Sequence, residues 1–228
     1  MDDKHGARRE PLADKVYGIL LAQLMDGSRE PGEQLNIVTL SGELAASQTP
    51  IREALARLEH TGLVRREALK GYRVAPLFSE QELVKLMDAR LALEPAMAGE
   101  AGRRLTPEFL DELLETIEDL GAVAEEGVTK SFHAYWSADE RFHGLIAKQM
   151  DNPFLETAYR SLGGQVQRFR LFVELGSTDA RYAAREHRAI YDAFVAGDAQ
   201  GANERMRDHV EAAKTRSLND RKTLRASA

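Results

Sequence analysis

Residues 39–62 read Thr-Leu-Ser-Gly-Glu-Leu-Ala-Ala-Ser-Gln-Thr-Pro-Ile-Arg-Glu-Ala-Leu-Ala-Arg-Leu-Glu-His-Thr-Gly. Thr39 is a good N-cap for a short helix through Leu40 and Leu44, and Ser47-Gln48-Thr49-Pro50 makes a tight turn. In that turn Thr49 can cap and Pro50 can take the first helical position, launching Ile51, Leu55 and Leu58 as a buried stripe that Gly62 ends. Two short helices joined by such a turn are a helix-turn-helix, whose second helix enters a DNA major groove.

Working outward, Leu12 to Met25 repeats Leu12, Val16, Ile19, Leu20 and Leu24 at helical spacing, which predicts a helix ahead of the pair. After Pro31-Gly32 comes a short segment, Gln34 to Val38. Downstream, Leu63-Val64-Arg65-Arg66 and Gly71-Tyr72-Arg73-Val74 flank a polar tip and predict a small β-hairpin, the wing. Small polar groups at a helix start can approach phosphates, which suits Ser47, Gln48 and Thr49. Arg52 can chelate guanine and Gln48 can pair with adenine, while Lys70 at the hairpin tip can reach a phosphate or the minor groove. Three helices and a hairpin also occur as protein-binding modules, and spacing alone leaves both readings open.

The chain of 228 residues carries a net charge of −6, which by itself argues against nucleic-acid binding. The charge is uneven. Residues 1–75 hold 11 basic and 11 acidic groups, and within 47–73 six basic residues face three acidic ones. That local excess is a modest phosphate-binding footprint. Hydrophobic residues at 43% suit a globular protein, and no apolar run approaches the roughly 20 residues that span a bilayer. With no cysteine and a charged start lacking the apolar core of a secretory signal, the expectation is a cytoplasmic protein without membrane contact.

Beyond Pro76 every segment reads as helix, with approximate spans 79–104, 106–126, 130–150, 153–174, 178–196 and 199–217. The expected fold class is therefore mainly α: a winged helix-turn-helix over 11–76 and an antiparallel bundle of about six helices over 77–218. Flexible polar tails are expected at 1–10 and 219–228. In the third bundle helix Asp139 and His143 fall inside the apolar stripe of Tyr135, Trp136, Phe142, Ile146 and Met150. Being four residues apart they point the same way, and a carboxylate on a buried face is costly unless paired or bound to a cation. His187 likewise interrupts Ala183, Ile190 and Phe194, and His209 interrupts Ala202, Met206 and Ala213. Each alone reads as a hydrogen-bonded core residue; together they read as a metal site in the bundle core. Arg90 shares a stripe with Leu83, Leu86, Met87, Glu94 and Met97, either as an internal ion pair with Glu94 or as a fork for an effector carboxylate.

The run Leu40 to Glu59, followed by Gly62-Leu63-Val64, resembles the signature of GntR-family winged-helix regulators, and Thr49-Pro50-Ile51-Arg52-Glu53-Ala54-Leu55 is its specific core. Two positions depart from the pattern: Gln48 stands where many relatives carry arginine, and Ala45 where glycine is usual. The resemblance implies that residues 47–52, Arg66 and the wing at Lys70, Gly71 and Tyr72 touch DNA, and that a homodimer binds a palindromic operator. Asp139 to His143, Glu186 to Ile190 and Met206 to His209 resemble the three blocks of the FCD ligand-binding domain of the fatty-acid-regulator-like branch. That implies one divalent metal on Asp139, His143, His187 and His209, with positions left open for an effector. Three imidazoles and a carboxylate suit zinc or nickel, and metal plus Arg90 suits a small carboxylate such as a hydroxy acid, sugar acid or dicarboxylate. The expected function is a regulator, of the repressor kind, rather than an enzyme. A metal-dependent hydrolase and a metal-clamped DNA-binding protein without effector are the alternatives, although no HExxH or nucleophile elbow is present.

Overall fold

The amide groups that open a helix need acceptors, and this requirement places the first boundaries. In the computed structural model, which describes residues 11–25, 27–68, 70–126, 132–171 and 177–227, the chain divides into two compact units, Met1–Pro76 and Leu77–Ala228. The first unit contains α1 (Leu12–Met25), β1 (Gln34–Leu35), α2 (Ile37–Glu43), α3 (Gln48–His60), β2 (Val64–Glu67) and β3 (Gly71–Val74). α2 starts two residues before Thr39, the expected cap. The cap is Asn36, whose side-chain oxygen accepts from the amides of Val38 at 2.8 Å and Thr39 at 3.2 Å. α3 also starts early, with Ser47 at the cap position instead of Thr49, so Pro50 is the third helical residue rather than the first. Proline is tolerated there because first-turn amides have no intrahelical acceptor to lose.

The end of α3 follows from Gly62, which takes φ 76. Its amide donates to the Glu59 carbonyl and that of Leu63 donates to the Leu58 carbonyl, the paired bonds of a Schellman ending, with Leu58 and Leu63 both buried. Val16, Leu20, Leu21 and Leu24 of α1 belong to the same buried core as Ile51, Leu55, Leu58, Leu63 and Val74, whereas Leu12, at the first turn, is exposed. The hairpin gains a strand not expected from sequence: the sheet order is β1-β3-β2, antiparallel throughout, with Leu35 opposite Tyr72 and Arg66 opposite Tyr72 from the other side.

The second unit is all helix: α4 (Glu80–Ala101), α5 (Pro107–Glu126), α6 (Phe132–Gln149), α7 (Pro153–Leu171), α8 (Ser177–Val195) and α9 (Ala199–Ser227). Ser79 and Glu82 form a reciprocal capping box at the start of α4. Phe109, Leu113, Phe142, Ile146, Ile190, Phe194, Met206 and Val210 interdigitate in one core cluster with Met97 and Ala98. Asn203 of α9 donates to the Pro95 carbonyl of α4 at 2.7 Å, tying these two helices where proline interrupts the ladder. α9 does not stop at 217 but runs to Ser227, so the expected C-terminal tail is helical backbone. No glycine or proline follows Gly201 to break it, and Leu218 packs against Phe78, Leu83, Leu86 and Met87, which extends the buried stripe past the expected end. The expected tail at 1–10, the start of the 130–150 span and the end of the 153–174 span lie outside the described residues. No helix among the described residues is long and apolar enough to cross a membrane.

Candidate functional site

The outward face of α3 begins with Ser47, Gln48, Thr49 and Arg52, all exposed, while Pro50, Ile51, Ala54, Leu55 and Leu58 are buried beneath them. Burial of one stripe thus aims the polar start of the helix at solvent. Arg52 reaches back toward Gln48, its Nη2 3.4 Å from Oε1, so the two candidate base readers share one patch. Not every basic residue counted from the sequence is available to phosphate. Arg57 pairs with Asp14 at 2.5 Å and lies over the Tyr17 ring, tying α3 to α1. Arg65 and Arg73 both pair with Glu67. Among the described residues no ion pair holds Arg66 or Lys70, which are exposed in the wing beside the exposed Gly71. Tyr72 is placed differently from the expectation of a DNA contact: its side chain is 8% exposed and packs inward, because residue alternation on β3 turns it to the core side with Val74.

In the second unit, α6, α8 and α9 bring His143, His187 and His209 together, with one potential ligand atom from each within 4.8 Å of the others. Their exposures are 1%, 0% and 1%. Asp139 is also buried and borders this triad, its Oδ1 3.7 Å from His187 Nε2. The His187 ring lies flat on Phe142, with centroids 3.7 Å apart and planes 6° from parallel. Nε2 of His143 and of His209 is buried without a hydrogen-bond partner. A buried lone pair or N–H left unmatched costs about 1–3 kcal/mol, so two of them on the rings of one imidazole cluster mark a place where a cation would satisfy them. The donor set fits a borderline divalent ion.

Surrounding groups favour ring forms that could take a cation. Burial lowers the His209 pKa and outweighs the opposing hydrogen bond that the ring makes to Glu186, which favours the neutral ring that a metal needs. His209 Nδ1 is 2.8 Å from Glu186 Oε2. Burial raises the Glu186 pKa, but hydrogen bonds from His209 and Arg216 outweigh it and keep this carboxylate ionised. Arg90 is engaged by Glu94, with Nε 2.5 Å from Oε1 and Nη2 3.1 Å from Oε2, both residues being buried. Despite full burial, the Arg90 guanidinium, helped by the adjacent His143 ring, holds the Glu94 pKa well below the usual carboxylate range. Burial also raises the Tyr159 pKa well above its ordinary value, and the nearby charges of Glu140 and Glu94 add to it.

The sequence alone gives no role to Glu186, Arg216 or Tyr159, and shows Glu94 only as a partner for Arg90. Two signals were present. Glu186 directly precedes a candidate ligand, and Arg216 follows His209 by seven residues, two helical turns on the same face.

Family comparison accounts for both units. Residues 12–74 match the model for bacterial regulatory proteins of the gntR family, and residues 85–212 match that of the FCD domain. Over 206 residues the chain is 30% identical to the "Probable D-xylose utilization operon transcriptional repressor" of Paenarthrobacter nicotinovorans, covering 90% of this chain and 88% of that protein. The structure of Escherichia coli McbR/YncC superposes with a TM-score of 0.74 at 22% identity, covering 92% of this chain and 98% of the other. The Zn2+-bound FCD domain of TM0439 gives 0.50 at 19% identity over 64% of this chain and 98% of that domain. Such families are transcription regulators rather than enzymes, and this chain belongs to them: it is a GntR-family bacterial transcription regulator with an FCD domain.

Proposed function

We propose that the chain is a repressor whose residues 11–76 bind a palindromic operator as part of a homodimer, while residues 77–218 hold a divalent metal and a small organic acid that together control operator affinity. The reading head would use Ser47, Gln48, Thr49, Arg52 and Arg66, with Lys70 and Gly71 at the wing; Tyr72 would support the wing from inside. Asp139, His143, His187 and His209 would hold the ion, zinc or nickel by donor type. Bound there, the ion would offer open coordination positions to an acid's oxygens. The observation that carries this reading is the gathering of three buried imidazoles, from three helices, with one potential ligand atom of each within 4.8 Å of the others. The Zn2+-bound state of the TM0439 domain supports it, as does the name of the Paenarthrobacter relative, a repressor.

Arg90 is the proposed second anchor for the acid, because a guanidinium fork matches a carboxylate. Its pairing with Glu94 means that an incoming carboxylate would have to share or displace that partner. The same pairing favours a second reading, in which the ion only clamps the bundle and no acid binds. Calorimetric titration of the full chain with a hydroxy acid, a sugar acid and a dicarboxylate, with and without chelator, separates the two. A sensor takes up an acid only when the ion is present and then changes its affinity for operator DNA. A clamp binds metal and no acid under either condition, and a preparation that retains no zinc or nickel near neutral pH removes both readings.

A further inference from the structure

The packing around the triad contains the same three-residue chain twice. On one side Arg90 grips both oxygens of Glu94, and Glu94 Oε2 lies 3.1 Å from His143 Nδ1, close enough to attract though off the line of an ideal hydrogen bond. On the other, Arg216 grips both oxygens of Glu186 at 2.7 and 3.0 Å, and Glu186 Oε2 lies 2.8 Å from His209 Nδ1. In both, the far nitrogen, Nε2, is buried and lacks a hydrogen-bond partner.

We infer that these two Arg–Glu–His relays fix the ring tautomers of the centre, so that Nε2 of His143 and Nε2 of His209 are its ligand atoms and Glu94 and Glu186 are its positioning residues. The inference rests on the metal reading above and adds to it which atoms bind and what holds them. A neutral imidazole has one N–H and one lone pair, and a carboxylate beside Nδ1 demands the proton there, leaving the lone pair on Nε2. An ionised carboxylate this near a cation would otherwise compete as a ligand. The bidentate arginine prevents that by occupying both oxygens, and it cancels the added negative charge. The relays span different helix pairs: Arg90 and Glu94 of α4 act on α6, and Glu186 of α8 is shared by His209 and Arg216 of α9. His187 is supported in another way, by its stack on Phe142. In this arrangement Arg90 acts on the ion through Glu94, so an acid that captured Arg90 would loosen the hold on His143.

The test is zinc affinity of the full-length protein, measured by competition with a chromophoric chelator, together with ring-nitrogen NMR of the metal-free protein. Glu186→Gln and Glu94→Gln should each weaken zinc binding by about 10- to 100-fold while the stoichiometry stays unchanged. Asp192→Asn, a charge loss at an exposed site on α8, should leave it as in wild type. Metal-free wild type should show the Nδ1–H tautomer for both His143 and His209, and Glu186→Gln should move the His209 signal alone. Glu94→Gln leaves Arg90 as an uncompensated buried charge. Should it fail to fold, Glu186→Gln and the wild-type His143 tautomer decide the matter. Wild-type zinc affinity in Glu186→Gln, or Nε2–H tautomers at both rings, overturns the relays and leaves the metal centre standing. A wild-type protein that binds no zinc overturns both.

Discussion

Ala45 takes φ 47, a left-handed conformation, at the turn between α2 and α3. This is one of the two positions at which the sequence departs from the family pattern, and the backbone explains why glycine is usual there. A residue with Cβ in that region costs roughly 1–2 kcal/mol, while glycine adds unfolded-state entropy of about 0.4–1 kcal/mol. Ala45→Gly should therefore be neutral to stabilising by up to about 1.5 kcal/mol, read as an unchanged or raised denaturation midpoint of the N-terminal unit. A clear loss of stability would mean that the Ala45 side chain packs usefully. Arg52 is the other decisive residue, exposed at the start of α3 beside Gln48. Arg52→Ala should lose about 1–3 kcal/mol of discrimination between operator and unrelated duplex, with unchanged circular dichroism. Anisotropy titrations that give the same operator affinity for the variant as for wild type would remove Arg52 from the reading surface.

Helix ends are decided by competition among nearby caps, and the outcome can be tested one element at a time. At α4 the competition is one-sided: the Ser79 hydroxyl accepts from the Glu82 amide at 3.2 Å, and the Glu82 carboxylate accepts from the Ser79 amide at 2.8 Å. Removing the hydroxyl strands an orphan amide at the start of the helix that carries Arg90 and Glu94. Ser79→Ala should cost about 1 kcal/mol, seen as a lower thermal midpoint of the C-terminal unit, whereas Ser79→Asp should restore most of it. Equal midpoints for Ser79→Ala and wild type would show that tertiary packing alone holds this end. At α9 the same logic runs through packing, since Leu218 carries the packed face past the expected stop at 217.

At the scale of the whole chain, each unit has its own core, so ligands of one should act on that unit's unfolding. An ion that binds only the folded C-terminal unit stabilises it by mass action, about 2.7 kcal/mol at a free concentration 100 times its Kd. Adding zinc should slow hydrogen exchange in α6, α8 and α9 and leave α1 and α3 unchanged. No protection of α6, α8 and α9 would contradict a metal centre in the bundle. The converse holds for DNA, whose charge-driven binding should weaken steeply with salt, since the proposed phosphate contacts of Arg52, Arg66 and Lys70 would release counterions.

Patterns that repeat within one element were legible in the sequence. The apolar stripe of α3 leaves only one face for Gln48 and Arg52, and the stripes of α6, α8 and α9 leave His143, His187 and His209 only an inward direction, because helical periodicity is a local property. The existence of the helices and of the wing follows from the same local rules. Other features depend on groups distant in sequence, and only the tertiary structure decides these. Nothing local tells Arg57 to pair with Asp14 rather than with phosphate, Arg90 to close on Glu94 rather than stay open for an acid, or Arg216 to hold Glu186 across two helices. Local competition also has several admissible outcomes: Asn36 and Thr39 both cap helices well, and in the fold it is Asn36 whose side chain accepts from the Val38 and Thr39 amides. A residue's own chemistry limits which partners it can take, but the partner it does take depends on which elements pack beside it, and that is a property of the whole fold.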